Sequence, residues 1–169
     1  MERSKPRPKF TVLIDTNILV SGLVFLQGNE HRILKLAEDK EITLVLPEFV
    51  LKEARIVLAR RFPGHEIFLD AFLLRAEHNI VPWSQIEQHN PIHRREVRDA
   101  KYVAVLTSTI LAKPDFAVTG DKTLREDISR CHDARTTTIC SSNEALKKIA
   151  KRHRTSTGAS SQVSSQARD

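Results

Sequence analysis

The chain has 169 residues, of which 40% are hydrophobic and 28% charged, with a formal net charge of +6, which is typical of one globular domain. No run approaches the roughly 18 to 20 apolar residues of a membrane-spanning helix, and the N-terminus lacks the apolar segment of a secretory signal, so we expect a cytoplasmic protein with no membrane partner. The two cysteines, Cys131 and Cys140, are too few for a disulfide framework and are expected to serve packing.

Short β-rich runs alternate with longer segments of helical periodicity, which predicts an α/β fold with a mainly parallel sheet. Strands are predicted at 10–14, 42–46, 79–82, 116–119 and 136–140. Helices are predicted at 18–26, 30–39, 48–61, 65–78, 95–112, 123–130 and 142–153. We expect one domain over 10–153, preceded by a basic arm at 1–9 and followed by a disordered tail at 154–169 that has few apolar side chains to bury.

The positive charge is concentrated at the two ends of the chain. Residues 1–9 and 147–169 contribute +3 and +5, which leaves −2 for residues 10–146. Basic ends could hold a phosphate backbone by nonspecific attraction while the acidic body recruits cations. Ends that only solubilise the chain would give the same pattern, so charge alone does not decide between the two.

Two acidic residues follow directly on predicted strands. Asp15 comes after the run 10–14, and Asp121 comes after the run 116–120. Ligands of open parallel sheets bind outside the carboxyl ends of the strands, so both side chains could line one crevice. Each residue also has an ordinary explanation, because Asp15 suits a helix N-cap and Gly120-Asp121 suits a turn.

Two further acidic residues fall on the apolar faces of predicted helices. Glu53 is three residues after Val50 and four before Val57, so we expect it to project toward the core. Asp99 precedes Leu106 by seven positions, at the N-terminal end of an apolar stripe. An arginine elsewhere in the fold could pair with Glu53, and Asp99 could be only a favourable acid in a first helical turn.

Gathered in one crevice, these four carboxylates would repel one another. Each pair at about 4 Å costs on the order of 4 kcal/mol at an effective dielectric of about 20. Either protonation or bound hard cations would offset this, and oxygen-only ligands favour magnesium, manganese or calcium over zinc. Four such placements together favour a magnesium or manganese site, although each acid alone more often has a structural role.

Three arginines, Arg94, Arg95 and Arg98, lead into the helix predicted at 95–112. Cations near a helix N-terminus are disfavoured by roughly 0.3 to 1 kcal/mol at exposed sites, so contact with a phosphate backbone would explain them. A solvated loop with three surface arginines explains them equally well. We therefore treat them as candidate RNA contacts.

Other candidate chemistry is weaker. His89 and His93 have the spacing of a helical zinc pair, but Pro91 between them argues against a helix there. The contiguous residues 131–133 (Cys-His-Asp) do not resemble a nucleophilic triad, because such sites are assembled across a fold. The chain contains neither GxGxxG nor GxxxxGK[ST], which disfavours the usual nucleotide sites.

Four segments, in order, resemble the PIN-domain ribonucleases. They are VLIDTNIL at 12–19, PEFVLKEARIVL at 47–58, Asp99 leading a helix, and DFAVTGDKTL at 115–124. The likeness covers roughly residues 10–141, and within the family the chain looks most like the toxin components of bacterial type II toxin–antitoxin systems.

The resemblance implies a three-layer α/β/α sandwich with an acidic pocket for one or two Mg²⁺ or Mn²⁺ ions. It implies four catalytic acids and two supporting polar residues, which are Asp15, Glu53, Asp99, Asp121, Asn17 and Thr119. Asp15, Asp99 and Asp121 would ligate metal while Glu53 orients the attacking water, and RNA would be cut to 5′-phosphate and 3′-hydroxyl ends. A homodimer is also implied, as is an antitoxin that reaches into the pocket.

One position departs from the family pattern, which commonly has a second acid where this chain has Thr123. That difference bears on whether a second ion binds. An RNA-processing nuclease and a PIN domain that binds RNA without cutting it are alternatives. A receiver-like magnesium module is another, but receivers carry an acidic pair after the first strand, whereas this chain has the single Asp15 and a helical Glu53.

Overall fold

A five-stranded parallel sheet forms the centre of the protein in this computed structural model, which describes residues 9–158 and the side chains of residues 9–152. The strands are β1 (Phe10–Ile14), β2 (Ile42–Pro47), β3 (His78–Val81), β4 (Phe116–Val118) and β5 (Thr138–Cys140). Their order across the sheet is β3-β2-β1-β4-β5, so the first strand of the chain lies in the middle.

Eight α-helices lie in the described part of the chain. They are α1 (Thr16–Val24), α2 (Asn29–Glu38), α3 (Glu48–Arg61), α4 (Glu66–Arg75), α5 (Trp83–His93), α6 (Val103–Ala112), α7 (Lys122–Arg130) and α8 (Ser142–Gly158). Among these residues, no helix is long and apolar enough to cross a membrane.

The two faces of the sheet are covered by separate helical layers. Val12 and Ile14 of β1 belong to a core with apolar side chains of α1 to α4 and α8. Leu13 belongs to a second core with side chains of α5, α6 and α7. Because alternate residues of a strand face opposite sides of a sheet, this central strand is buried on both faces. The predicted α/β/α sandwich is confirmed.

The region between β3 and α6 differs from the sequence prediction. Helix α5 is absent from the sequence prediction, and Pro91, which argues against a helix between His89 and His93, lies inside it. Pro91 lacks the N–H that would bond to the carbonyl of Glu87, and the helix ends two residues later at His93. The predicted helix at 95–112 begins only at Val103, after two short 3₁₀ turns over 94–96 and 100–102.

The ends of the predicted domain lie partly outside the described residues. Lys9, the last residue of the predicted basic arm, forms an ion pair with Glu77, and residues 1–8 lie outside the described part. Helix α8 continues to Gly158, beyond the predicted end at 153. The remainder of the predicted disordered tail, 159–169, also lies outside the described residues.

Candidate active site

The switch point of the sheet lies between β1 and β4. The chain leaves β1 toward β2 and β3 on one side and later returns to β4 and β5 on the other. Connections that diverge in this way leave a crevice at the carboxyl ends of the two strands. Asp15 follows β1 directly, and Asp121 follows β4 after Thr119 and Gly120. Both aspartates therefore lie at the mouth of this crevice.

An open cleft of about 380 Å³ occupies this crevice. Its polar lining consists of Asp15, Thr16, Asn17, Glu53, Lys101, Tyr102 and Asp121. Three of the four predicted acids are thus brought to one cleft, together with the predicted supporting residue Asn17.

Asp15 is buried and caps the N-terminus of α1, since its Oδ1 accepts a hydrogen bond of 2.9 Å from the Ile18 N–H. Burial raises the pKa of the Asp15 carboxyl. Hydrogen bonds from the Thr119 hydroxyl and from backbone N–H groups oppose that rise, and the nearby negative charge of Asp121 adds to it. A cation bound in the cleft would therefore favour the ionised form of Asp15.

Asp121 caps α7 in the same manner, with Oδ1 accepting a hydrogen bond of 3.1 Å from the Leu124 N–H. Its Oδ2 accepts a hydrogen bond of 2.5 Å from the Tyr102 hydroxyl. That bond is the main reason that the pKa of Asp121 is lowered, and the positive charge of Lys101 contributes to the same shift. Asp121 is therefore held ionised at neutral pH.

Thr119 connects the two aspartates. It is buried, and its Oγ1 accepts a hydrogen bond of 3.1 Å from the Asp121 N–H. A hydrogen bond from the same hydroxyl lowers the pKa of Asp15. Thr119, directly after β4, therefore contacts the Asp15 carboxyl and the Asp121 backbone, and its supporting role in the site stays a prediction.

Glu53 reaches the cleft by a different route from the one predicted. The expectation that it projects into the core is wrong, because its residue is exposed while Val50, Ala54 and Leu58 form the buried stripe of α3. Glu53 lies at the edge of that stripe, and its Oε2 accepts a hydrogen bond of 2.6 Å from the Thr16 hydroxyl. The carboxylate is therefore solvent-accessible and oriented from α1.

Asp99 does not line the cleft. The expectation that it begins a buried helical stripe is wrong, because it is exposed and caps the short turn at 100–102, as aspartates at helix starts commonly do. Its Oδ1 accepts a hydrogen bond of 3.0 Å from the Lys101 N–H, and its Oδ2 lies 3.4 Å from Lys101 Nζ. Lys101 itself lines the cleft, so this ammonium group links Asp99 to the site.

Lys101 and Tyr102 are the site residues that sequence reasoning missed. The signal was present, because Tyr102 stands three residues after Asp99 and would share its face in any helical turn.

The three predicted RNA-binding arginines have different surroundings. Arg98 donates to Asp127 Oδ1 at 2.6 Å and to Glu126 Oε2 at 3.0 Å, and Asp127 is buried. Arg98 therefore joins the segment before α6 to α7. Arg94 and Arg95 are exposed, and contact of these arginines with RNA stays a prediction.

The donor set of the cleft suits a hard cation, because Asp15, Glu53 and Asp121 offer only oxygen atoms. Their oxygens do not all lie within 4.8 Å of one another, so the three carboxylates are not drawn into one tight group. Two of them do interact, since the charge of Asp121 raises the pKa of Asp15. The residues present thus suit a hard divalent cation, which the aspartate pair would hold.

Comparison with known families assigns this architecture. A profile of the PIN domain matches residues 11–123, which is more than half of the chain and includes all four predicted acids. The chain belongs to the PIN-domain family. Membership in this family sets aside the receiver-like alternative.

Solved structures with the same fold include a chain in the crystal structure of VapBC2 from Rickettsia felis bound to a DNA fragment from their promoter. That match has a TM-score of 0.57 and 16% sequence identity, and it covers 78% of this chain and 98% of the other. Comparison with curated proteins gives no match. The structural likeness shows that this PIN domain shares its fold with a chain of that complex.

Proposed function

We propose that this PIN-domain protein is a magnesium- or manganese-dependent endoribonuclease and the toxin of a toxin–antitoxin pair. The observation that carries the enzymatic part is the pairing of Asp15 with Asp121 through Thr119 at the switch point of the sheet. Glu53 faces the same open cleft from α3. Membership in a family of nucleases supports the same conclusion.

Asp15 and Asp121 would hold the ion, since burial, with a smaller effect of the Asp121 charge, disfavours the ionised form of Asp15 and a cation would favour it. When bound, such an ion lowers the pKa of its water and polarises the phosphoryl oxygen. Glu53, which accepts a hydrogen bond from the Thr16 hydroxyl and is open to solvent, would orient and deprotonate the attacking water. Thr119 and Asn17 would support the acids by holding the end of β1 and the start of α1 in position beside them.

We propose that Asp99 becomes a metal ligand when the Lys101 ammonium group releases it. The Lys101 ammonium contacts Asp99, and its charge lowers the pKa of Asp121, so it already provides a positive charge among these acids. A divalent ion would compete with that ammonium for the same carboxylates. Release of Lys101 would leave Asp99 free to turn toward the cleft and Lys101 free to contact an RNA phosphate.

The toxin assignment is supported by the fold match to a chain of the VapBC2 complex and by an apolar surface on this chain. Phe25, Leu26, Ile67 and Phe68 are each at least half exposed, and ring contacts connect Phe25 with Phe68 through Phe62 and His65. Exposed aromatic and aliphatic side chains of this kind are typical of protein–protein interfaces. We propose an antitoxin as the partner, and a homodimer as the assembled state of the PIN domain.

The enzymatic part is tested by incubating the purified protein with labelled single-stranded RNA and Mn²⁺ or Mg²⁺. We expect the wild type to cut and Asp15→Asn or Asp121→Asn to lose at least about 100-fold in rate, since loss of groups that only hydrogen-bond to metal ligands already costs roughly 10- to 100-fold. Chelator should abolish cleavage, and the products should carry 5′-phosphates.

Asp39→Asn is the matched control, because Asp39 is an exposed aspartate that pairs with Lys35 at the end of α2 and does not line the cleft. It should cut like the wild type. Equal cutting by wild type and Asp15→Asn would reject the aspartate pair as the active centre. Growth arrest on induction of the wild type, relieved by the product of an adjoining gene, would separately support the toxin assignment.

A further inference from the structure

A mixed group of nitrogen and oxygen donors lies where the end of α5 meets the loop after α7. One ligand atom from each of His93, Glu96 and Asp133 lies within 4.8 Å of the others, and no other such group of three occurs in the part of the chain that the structure describes. We propose that these three side chains bind a single transition-metal dication of the zinc type, at a site separate from the acidic cleft.

The donor chemistry differs from that of the cleft. His93 is buried, and its Nδ1 lies 3.1 Å from Glu96 Oε1. One imidazole with two carboxylates suits zinc, whereas magnesium prefers oxygen alone. Zinc bonds of about 2.1 Å place tetrahedral ligands about 3.4 Å apart. Glu96 and Asp133 are exposed, so their side chains have room to move from the present spacing of up to 4.8 Å to that shorter spacing.

Cys131 orients one of the ligands. It is buried, and its Sγ donates a hydrogen bond of 2.5 Å to Glu96 Oε2. With Oε2 occupied in this way, Oε1 of the same carboxylate faces His93. Hydrogen bonds that fix the ligands of a metal in this manner are a general feature of metal sites.

A simple ion pair does not account for the whole group. The contact of His93 with Glu96 spans three residues and would be ordinary alone, but Asp133 comes from a distant segment and adds a second negative charge at the same point. Among the described residues, no lysine or arginine forms an ion pair with Glu96 or Asp133. A bound dication would neutralise both carboxylates.

The proposed metal site adjoins the segment that forms one wall of the acidic cleft. His93 and Glu96 immediately precede the segment 97–102, which carries Asp99, Lys101 and Tyr102. An ion bound there would join this segment to the loop at 132–134. We expect such a joint to restrict the movement of the wall that bears Tyr102.

Zn²⁺ titration followed by calorimetry tests the site, in excess Mg²⁺ and in the Asp15→Asn background so that the cleft does not contribute. We expect one equivalent to bind. Glu96→Gln and Asp133→Asn should each weaken binding by at least about tenfold, the lower end of the losses known for metal-site partners. Both residues are exposed, so circular dichroism should show both variants folded.

Asp39→Asn and Glu87→Gln are matched controls. Asp39 is the exposed aspartate at the end of α2, Glu87 is an exposed acid of α5, and neither belongs to the group. Binding should be unchanged in both. Absence of a bound equivalent, or equal affinity in Asp133→Asn and Asp39→Asn, would overturn the proposal.

Discussion

The hydroxyl of Tyr102 donates a hydrogen bond of 2.5 Å to Oδ2 of Asp121, and this bond is the main cause of the low pKa of that carboxyl. Tyr102 ends the short turn at 100–102, whereas Asp121 caps α7 beyond β4. The contact therefore fixes the segment before α6 against the end of the sheet. It also shows that the cleft wall contributes to the charge state of the acid pair.

Replacing Tyr102 by phenylalanine should raise the pKa of Asp121 and lower the melting temperature at neutral pH by about 3 °C, the size expected for one lost hydrogen bond to a charged group in a domain of this length. Because the folded-state pKa of Asp121 is lowered, its contribution to stability is complete above the unfolded value near 3.8 and disappears as pH falls through the folded value. The stability difference between wild type and Tyr102→Phe should therefore vanish at acid pH. Carboxyl chemical shifts and thermal melts would measure both effects.

A double-mutant cycle with Asp121→Asn provides the control for this prediction. If the hydrogen bond carries the effect, Tyr102→Phe should cost much less in the Asp121→Asn background than in the wild type. Equal costs in both backgrounds would assign the loss to packing of the ring.

Replacing Lys101 by methionine should tighten binding of Mn²⁺ by on the order of tenfold, because the ammonium and a dication in the same cleft repel each other. The change removes the Lys101 ammonium group, which contacts Asp99 and whose charge lowers the pKa of Asp121. Calorimetry at low salt would measure the affinity. Lys35→Met, which removes an exposed charge on α2 outside the cleft, should leave it unchanged, and weaker binding in Lys101→Met would mean that the lysine supports the ion.

Most of the sheet could be predicted from sequence, because buried parallel strands are continuous apolar runs and the acids follow them directly. The run 10–14 followed by Asp15 is the clearest case, with predicted and observed strands having the same bounds. The order of the strands then brings Asp15 and Asp121 to one crevice, which the position of each residue after its strand already indicated.

The second wall of the cleft could not be predicted, because its structure depends on tertiary contacts. Sequence periodicity gave one helix over 95–112, but Asp99 caps a short turn and Arg98 is held by the buried Asp127, far along the chain. Glu53 illustrates a second limit. Periodicity predicts Glu53 on the apolar face of α3. In the structure the neighbouring position, Ala54, is buried, and Glu53 lies at the edge of the cleft.

Replacing Arg98 by alanine should lower the melting temperature by about 5 °C, since it leaves the buried Asp127 with only its backbone partner. Arg95→Ala is the matched control: Arg95 is exposed, so its loss should leave the melting temperature unchanged within error. Arg95→Ala also tests the predicted RNA contact. If Arg95 contacts an RNA phosphate, its loss should reduce the slope of the logarithm of RNA affinity against the logarithm of salt concentration by about 0.7. Equal thermal stability of the two variants would contradict the structural role of Arg98.

Replacing Asp15 by asparagine should stabilise the metal-free protein at neutral pH. Burial raises the pKa of Asp15, so the folded protein binds more protons than the unfolded chain between the unfolded value near 3.8 and the higher folded value. Stability of the wild type therefore falls as pH rises through that window, so this buried carboxyl costs the folded protein more at neutral pH than at acid pH. Asparagine has no such charge and still caps the N-terminus of α1.

The gain from Asp15→Asn should accordingly be largest near neutral pH and should disappear below about pH 4, where both side chains are neutral. Thermal melts of both proteins in chelator, from acid to neutral pH, would measure it. Added Mn²⁺ should reverse the order at neutral pH, because only the wild type gains stability from the ion that Asp15 helps to hold. An Asp15→Asn protein that melts below the wild type at neutral pH in chelator would show that the carboxylate is already stabilised without a cation, and the electrostatic reason for a metal in this cleft would be lost.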